Sequence, residues 1–247
     1  MPSPNTIRPP AIVLVAPALA SVAGFVDAVG FITLHGLFVA HMSGNSVTFG
    51  VDVGAGAFSS AAPAGVAVVL FVAGVAAGTV TAELAARRRV RSIAAVVLAL
   101  QAALIAAFML YGRTVVTERT VADHSLGGFY VLAALAIVSM GMQTSALRQL
   151  GGRTISTTYV TGVLTSLTQE ATNYVFWLRD RGHRDERASF LSRVLGLGSR
   201  SDSRNRVLLL GAVWLAYATG AVLGSFTDAR IELWALAIPL GVLVAVI

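Results

Sequence analysis

The sequence contains no cysteine and no lysine, and charged residues occupy only 12% of its 247 positions. The lack of cysteine excludes disulfides, thiol nucleophiles and cysteine-bound metals. No pair of its four histidines has metal-ligand spacing, so we expect no metal and no cofactor. The scarcity of charge excludes an ordinary soluble domain, because 56% of the residues are hydrophobic and the mean hydropathy is +0.77. These values predict a polytopic membrane protein.

Six apolar runs are candidates for crossing the membrane. A helix needs roughly 20 apolar residues to cross about 30 Å of hydrocarbon. The first run resembles a signal peptide with a cleavage site at Ala18-Leu19-Ala20, but it continues well past that site, so we interpret it as an uncleaved helix. The sequence therefore predicts an all-α integral membrane fold with six transmembrane helices, the last of them short: residues 11–34, 63–86, 93–112, 127–147, 207–226 and 231–247.

Two further segments, residues 38–56 and 156–178, are moderately apolar and leave the topology open. If both crossed, the arginines at 87–91 and the Arg-rich residues 179–206 would lie on opposite sides of the membrane. If neither crosses, all but three of the 18 arginines share one side, as the positive-inside rule requires of the cytoplasm. We therefore predict two re-entrant or half-helix segments and two cytoplasmic termini. An interfacial position and full crossing are the alternatives.

The exclusive use of arginine, together with abundant alanine, valine and glycine, indicates a bacterial chain of high GC content. We therefore expect a multi-pass protein of the bacterial inner, or plasma, membrane. The net charge of +6 fits positive charge on one membrane face, so no nucleic-acid partner is expected. The Arg-rich insertion, residues 179–206, is expected to lie on the inner leaflet as an amphipathic helix, with a disordered loop as the alternative. Its apolar positions are Phe190, Leu191, Val194 and Leu195.

An internal repeat relates the two halves of this single domain, residues 1–247. Three landmarks recur in the same order: Gly24 over Gly141, the segment from His41 over the segment from Tyr159, and Gly74-x-x-x-Gly78 over Gly220-x-x-x-Gly224. They predict repeat A at residues 11–113 and repeat B at 127–247. Each unit has three crossings, an odd number, so the second would be inverted relative to the first. The small-xxx-small pairs also predict close helix packing.

The polar stretch FVAHMSGNSVTFG, residues 38–50, lies inside otherwise apolar sequence. Non-helical backbone is tolerated at membrane depth only where it is buried in protein or lines a water-filled cavity. The stretch and its repeat counterpart therefore predict two half-length elements that enter from opposite faces. The alternative is a surface connection whose polar residues serve a turn and a helix cap.

These motifs resemble those of a known family. The sequence has GFVDAVGF at 24–31, FVAHMSGN at 38–45 and TYVTG at 158–162. Together they are similar to the YoaK-like bacterial membrane proteins, domain of unknown function 1275, over roughly residues 12–247. Ser43 stands where that family often has threonine, which keeps the hydroxyl. The resemblance implies an integral membrane protein with about six helices, and it implies no particular activity.

Asp27 is the sharpest candidate for a functional residue. An ionisable side chain inside a spanning helix costs at least about 2.5 kcal/mol and is by default a functional candidate. Asp27 would either titrate or bind the solute, or it would accept hydrogen bonds that hold the polar segment in place. Its approximate repeat counterparts, Gln143 and Thr144, cannot titrate. Any ion coupling would therefore be asymmetric between the halves.

His41 is either a solvated or packed side chain or an external, pH-sensitive gate. With Ser43 and Asp27 it supplies the residue types of a hydrolase triad. Side chains two positions apart do not face each other on a helix, however, so we predict no catalytic residue and no enzyme. Gly44 and Gly162 would begin half-helices whose free N–H groups suit an anionic or neutral polar solute.

The sequence therefore predicts a secondary transporter or facilitator of a small polar or anionic solute. The alternative is a non-transporting membrane scaffold or accessory subunit. The expected partners are the lipid bilayer and a small-molecule solute, and the sequence leaves a homo-oligomer open. The predicted substrate-binding residues are Asp27, His41, Met42, Ser43, Gly44, Asn45, Gln143, Thr144, Tyr159, Thr161 and Gly162.

Overall fold

The computed structural model describes residues 9–115, 127–151, 160–180 and 200–247, and within these ranges the regular structure is helical throughout. Helices suit apolar sequence in lipid because they satisfy every backbone hydrogen bond internally. The all-helical prediction is thus confirmed for the described residues. The elements are α1 (Pro9–Thr33), α2 (Met42–Gly54), α3 (Phe58–Arg87), α4 (Ile93–Val115), α5 (Gly127–Gly151), α6 (Val160–Asp180), α7 (Arg200–Ile231), a 3-10 helix (Glu232–Leu236) and α8 (Ala237–Val246).

Five stretches of the described chain are long and apolar enough to cross a bilayer, which makes this a multi-pass membrane protein. The last stretch contains 43 residues and includes both of the final two predicted runs. Its second part is a 3-10 turn followed by the ten-residue α8, which is only about 15 Å long. The five stretches are Leu14–Thr33, Phe58–Arg87, Ile93–Val115, Gly127–Leu147 and Arg204–Val246.

Helices α1 and α7 pack through backbone surfaces that glycine makes possible. A Cβ atom added at Gly24 would collide with the carbonyl oxygen of Tyr217, and one added at Gly220 would collide with that of Ser21. One turn further on, a Cβ at Gly224 would lie 2.7 Å from the carbonyl oxygen of Phe25. Small residues let helix backbones approach this closely in lipid. The pair Gly220/Gly224 therefore serves the α1–α7 interface.

Helices α3 and α5 pack in the same manner. A Cβ at Gly141 would lie 2.6 Å from the carbonyl oxygen of Phe71, and one at Gly74 would lie 2.5 Å from that of Val138. A Cβ at Gly78 would collide with the side chain of Ser145. Each small-xxx-small pair thus packs against the first helix of the other half.

The two polar segments form helices α2 and α6. Helix α2 has 13 residues, about 20 Å, which is too short to span the hydrocarbon core, and it packs against α3. Helix α6 has 21 residues and packs against α7, but its composition keeps it out of the candidate spans. Tyr159 lies outside the described residues, as do residues 181–199, most of the Arg-rich insertion with its predicted amphipathic helix.

Candidate functional site

The chain reverses direction at the end of α1. His35 and Gly36 adopt left-handed conformations, with φ values of 49° and 92°. The N–H group of Gly36 donates to the carbonyl of Phe31 at 2.9 Å, which closes the last turn of the helix. Residues 37–41 consequently run back beside α1 before α2 begins, and this return brings two backbone N–H groups to Asp27.

Asp27 is buried in α1 and accepts hydrogen bonds from two parts of the chain, the returning segment and α7. Its Oδ1 atom accepts the backbone N–H groups of Val39 and Ala40, at 3.0 and 2.9 Å. Its Oδ2 atom lies 2.5 Å from Nδ1 of His41 and 2.7 Å from the hydroxyl of Tyr217. A carboxylate has about four acceptor sites, and all of them are used here. Asp27 therefore holds the returning segment against α1.

His41 stands at the entrance to this cluster, immediately before α2. Its side chain is 29% exposed, whereas that of Asp27 is 6% exposed. The hydrogen bond to Asp27 raises the pKa of the imidazole above its ordinary value of 6.5; partial burial opposes the rise, and the charge of Asp27 adds to it. His41 is consequently a better base than a free imidazole.

Tyr217 on α7 is the third member of the cluster, and our sequence analysis missed it. Its hydroxyl lies 2.7 Å from Oδ2 of Asp27 and 3.2 Å from Nδ1 of His41. Its ring meets the His41 ring edge-on with 5.6 Å between the centroids. A tyrosine in an apolar span needs a partner for its hydroxyl, which was the available signal. Which residue accepts that hydroxyl is decided by the packing of α7 against α1, and this packing brings Tyr217 to Asp27.

Asn45 and Gly44, in the first turn of α2, contact Phe38 of the returning segment. The amide of Asn45 donates to the carbonyl of Phe38 at 2.8 Å and accepts the N–H of the same residue at 3.1 Å. Its Nδ2 also lies 3.8 Å from the sulfur of Met42. A Cβ atom at Gly44 would lie 2.9 Å from the ring of Phe38, so glycine leaves room for that ring. These residues stabilise the return of the chain.

A cavity of about 440 Å³ opens beside the cluster, between α1, the start of α2, and α7. Asp27, His41, Ser43, Gly44, Tyr217 and Ser225 contribute to its wall, together with apolar side chains of α1. The cavity thus joins four of the predicted substrate-binding residues: Asp27, His41, Ser43 and Gly44. No side chain caps the start of α2. The N–H of Gly44 donates to the carbonyl of His41 at 3.1 Å, and the described residues show no partner for the N–H groups of Met42 and Ser43.

Gln143 and Thr144 lie elsewhere in the bundle, away from this cavity. Gln143 donates to the carbonyl of Leu19 at 2.7 Å and accepts from the amide of Gln101 at 2.5 Å. The hydroxyl of Thr144 donates to the carbonyl of Met140 at 3.0 Å. Gln101 is fully buried on α4, and our sequence analysis missed it. Gln143 and Gln101 thus link α1, α4 and α5.

The predicted residues of the second polar segment also lie apart from the cavity. Thr161 is exposed and Gly162 is half-buried on the first turn of α6. The next residue, Val163, packs with Ala16 and Ala20 of α1, at least seven positions before Asp27. Helix α6 therefore begins beside a part of α1 that lies about two turns or more before Asp27.

A second cavity of about 340 Å³ lies on the other side of the end of α1. His35, Arg113, Asp228 and Glu232 line it, and the guanidinium of Arg113 stacks over the ring of Trp234 at 4.5 Å. Among the described residues, no group of three His, Asp or Glu side chains could hold a metal ion in either cavity.

Comparisons with known proteins agree with the resemblance in the motifs. The chain is 29% identical over 161 residues to the UPF0700 transmembrane protein YoaK of Bacillus subtilis (strain 168), and the match covers 64% of this chain and 67% of that protein. No solved structure matches the chain. A family model described as "Protein of unknown function (DUF1275)" matches residues 15–247. The chain therefore belongs to the DUF1275 family of YoaK-like proteins.

Proposed function

We propose that this protein is a secondary transporter or facilitator for a small polar or anionic solute. The observation that carries the proposal is the cavity beside Asp27, where the side chains of His41, Ser43 and Tyr217 meet the uncapped start of α2. Polar groups inside a membrane-embedded bundle are costly, and they commonly mark a solute or ion pathway. A broken element whose helix end faces a cavity is the usual form of a transporter binding site.

The matched glycine contacts support the inverted repeat on which alternating access would depend. A Cβ at Gly24 meets the carbonyl of Tyr217 and the N–H of Ala221, which are three positions before and one after Gly220. A Cβ at Gly141 meets the carbonyl of Phe71 and the N–H of Val75, which are three before and one after Gly74. The same offsets in both halves favour repeats A and B, residues 11–113 and 127–247.

The positions of α2 and α6 favour entry from opposite faces. The cavity at the start of α2 is lined by Asp27 on α1, and on α7 it extends from Tyr217 to Ser225. Val163, in the first turn of α6, packs with Leu210 and Val213, at least four positions before Tyr217. The proposed orientation, with six crossings and both termini in the cytoplasm, follows from the arginine distribution. The proposed location is the bacterial inner membrane.

The test is solute flux through the purified protein in liposomes, with a panel of small anions, neutral polar solutes and cations. Ser43→Ala removes a hydroxyl from the cavity wall, and we expect it to change the flux of the transported solute. Ser46→Ala is the matched control, because its hydroxyl donates to the carbonyl of Met42 in its own helix and does not line the cavity. A wild-type protein that carries no solute of any class would favour the scaffold or accessory subunit instead.

A further inference from the structure

We propose that the cavity beside Asp27 binds a small monovalent anion together with one proton, which is taken up at Nε2 of His41. The inference rests on the proposed solute cavity and adds the class of solute and the coupling ion. It depends on which nitrogen of His41 carries a hydrogen, on the position of His41 in the cavity wall, and on the charge of that wall in each protonation state of His41.

The hydrogen bonds around Asp27 determine which nitrogen of His41 carries a hydrogen. Oδ1 is occupied by the N–H groups of Val39 and Ala40. Oδ2 accepts the Tyr217 hydroxyl at 2.7 Å and lies 2.5 Å from Nδ1 of His41. A carboxylate oxygen can only accept, so Nδ1 is the donor in that short contact. The neutral imidazole therefore carries its hydrogen on Nδ1, and Nε2 is the basic atom.

Nε2 is the free end of the imidazole ring. His41 lines the cavity with a partly exposed side chain. The hydrogen bonds of the ring within the described part of the chain all involve Nδ1. A proton that binds at Nε2 therefore creates an N–H donor at the cavity wall, while the contact with Asp27 stays in place.

Protonation changes the charge of the cluster from −1 to zero. The side chains that face His41 are Asp27 from α1, Tyr217 from α7, Phe38 from the returning segment and Ser43 from α2. Of these only Asp27 is a carboxyl group, and the hydroxyl of Tyr217 keeps its hydrogen as the donor to Oδ2 of Asp27. With neutral His41 the carboxylate repels an anion. With His41 protonated the pair is neutral, and the new N–H group adds to the partial positive charge at the start of α2.

The uptake of a single proton limits the solute to a monovalent anion. A monovalent anion that enters with one proton leaves the net charge of the cavity unchanged, whereas a divalent anion would add an uncompensated negative charge to a mostly apolar wall. Anion and proton then bind together, and each raises the affinity for the other. Above the pKa of His41 every bound anion takes up one proton, so the apparent dissociation constant rises about tenfold per pH unit. Below that pKa the affinity is independent of pH.

The test measures binding of chloride, nitrate and lactate to the full chain in detergent, by ligand-induced thermal shift between pH 5.5 and 9. We expect at least one of these anions to stabilise the protein at low pH, with affinity that falls about tenfold per pH unit above the pKa of His41. An affinity that is flat across this range, or no binding of any of the three anions, overturns the inference.

Two variants distinguish the loss of the proton-binding nitrogen from a loss of folding. His41→Asn keeps an amide donor near the position of Nδ1 and so keeps a contact with Asp27, but it has no titratable nitrogen. We expect at least a tenfold loss of anion affinity at low pH, with the melting temperature of the anion-free protein measured alongside. His35→Asn is the matched control, because that histidine lines the second cavity and not the cavity beside Asp27. Wild-type affinity in His41→Asn would overturn the inference.

The tautomer gives a readout that needs no anion. In spectra of protein labelled with ¹⁵N-histidine, the His41 signal is the one lost in His41→Asn. We expect hydrogen on Nδ1 above the pKa and titration at Nε2, and the opposite tautomer would contradict the inference. Flux of only neutral polar solutes in liposomes would also defeat the inference while leaving the proposed transport intact. Absence of flux for every class would defeat the proposed transport itself.

Discussion

The hydroxyl of Tyr217 lies 2.7 Å from Oδ2 of Asp27, although 190 positions separate the two residues in the chain. The carbonyl of the same tyrosine is the atom that a Cβ atom at Gly24 of α1 would meet. The same tyrosine therefore meets α1 through its backbone and through its side chain. Any movement of α7 away from α1 must break the hydrogen bond to Asp27.

Tyr217→Phe removes only the hydroxyl of that bond. A hydrogen bond to a charged group contributes about 1.5–3 kcal/mol, so we expect the free energy of unfolding to fall by that amount. The measurement is unfolding in detergent by denaturant titration. Tyr111→Phe is the matched control, because the described residues show no hydrogen bond from its hydroxyl, and it should be close to neutral. Equal effects of the two variants would disprove the contribution of the Asp27–Tyr217 bond.

Asp27→Ala and Asp27→Asn should differ strongly in how well they hold the backbone of residues 39 and 40. Alanine leaves the N–H groups of Val39 and Ala40 without their acceptor, and an unsatisfied buried donor costs about 1–3 kcal/mol. Asparagine keeps one oxygen that can accept both. We expect faster amide hydrogen exchange at residues 39 and 40 in the alanine variant than in the asparagine variant. Similar exchange in both would show that the carboxylate does not hold this segment.

The stability of the protein should depend on pH through His41. The folded-state pKa of His41 is raised above its ordinary value of 6.5, so the protonated form is favoured by folding. The resulting stabilisation is fully present below about pH 6.5 and is lost as the pH rises through the folded-state pKa. We expect the melting temperature of the wild type to fall over that interval relative to His41→Asn. Parallel pH profiles for the two proteins would refute this linkage.

Gly24→Ala should destabilise the α1–α7 interface. The added methyl group collides with the backbone carbonyl of Tyr217, which cannot move aside as a side chain could. Overpacking of this kind costs about 1–3 kcal/mol. Gly50→Ala is the matched control, because no neighbouring atom lies within 4 Å of its added Cβ, and alanine favours a helix by about 1 kcal/mol. We expect opposite signs in thermal unfolding, and a Gly24→Ala variant as stable as Gly50→Ala would count against the close approach of α1 and α7.

Substitutions of the buried pair Gln101 and Gln143 should have non-additive effects on the free energy of unfolding. Gln143→Leu leaves the Gln101 amide and the Leu19 carbonyl without a side-chain partner, so we expect a loss of about 1–3 kcal/mol. Gln101→Leu combined with Gln143→Leu removes both amides, including a Gln101 oxygen with no partner in the described chain. The double variant should therefore be more stable than Gln143→Leu alone. Strictly additive losses in a double-mutant cycle would show that the two amides act independently.

Much of the architecture was predictable because it follows from local composition. The run Gly127–Leu147, for example, is predicted as a helix by its hydropathy and is a candidate span in the structure. The shortness of α8 was less accessible to such reasoning. Its region reads as one apolar run, 231–247, but the first five described residues after Ile231 form a 3-10 helix in which Glu232 has a φ of 52°.

The candidate site could be predicted in part. Asp27 and His41 attract notice as polar residues in apolar sequence, and the structure brings them together. Gln143 and Thr144 are predicted as the approximate repeat counterparts of Asp27, yet they lie away from the cavity because the face that each helix residue presents depends on its neighbours. Tyr217 and Gln101 have no local signal that connects them with Asp27 or Gln143.

The sequence by itself determined the membrane class, the helical secondary structure and the family, because hydrophobicity, chain length and short motifs are local properties. The tertiary structure alone decided that α7 supplies the partner of Asp27, that Asn45 holds Phe38, and that the cavity opens at the start of α2. The physical reason is that these contacts join residues brought together by helix packing. Such packing depends on backbone approach at glycines and on many weak contacts at once, and no single stretch of sequence encodes it.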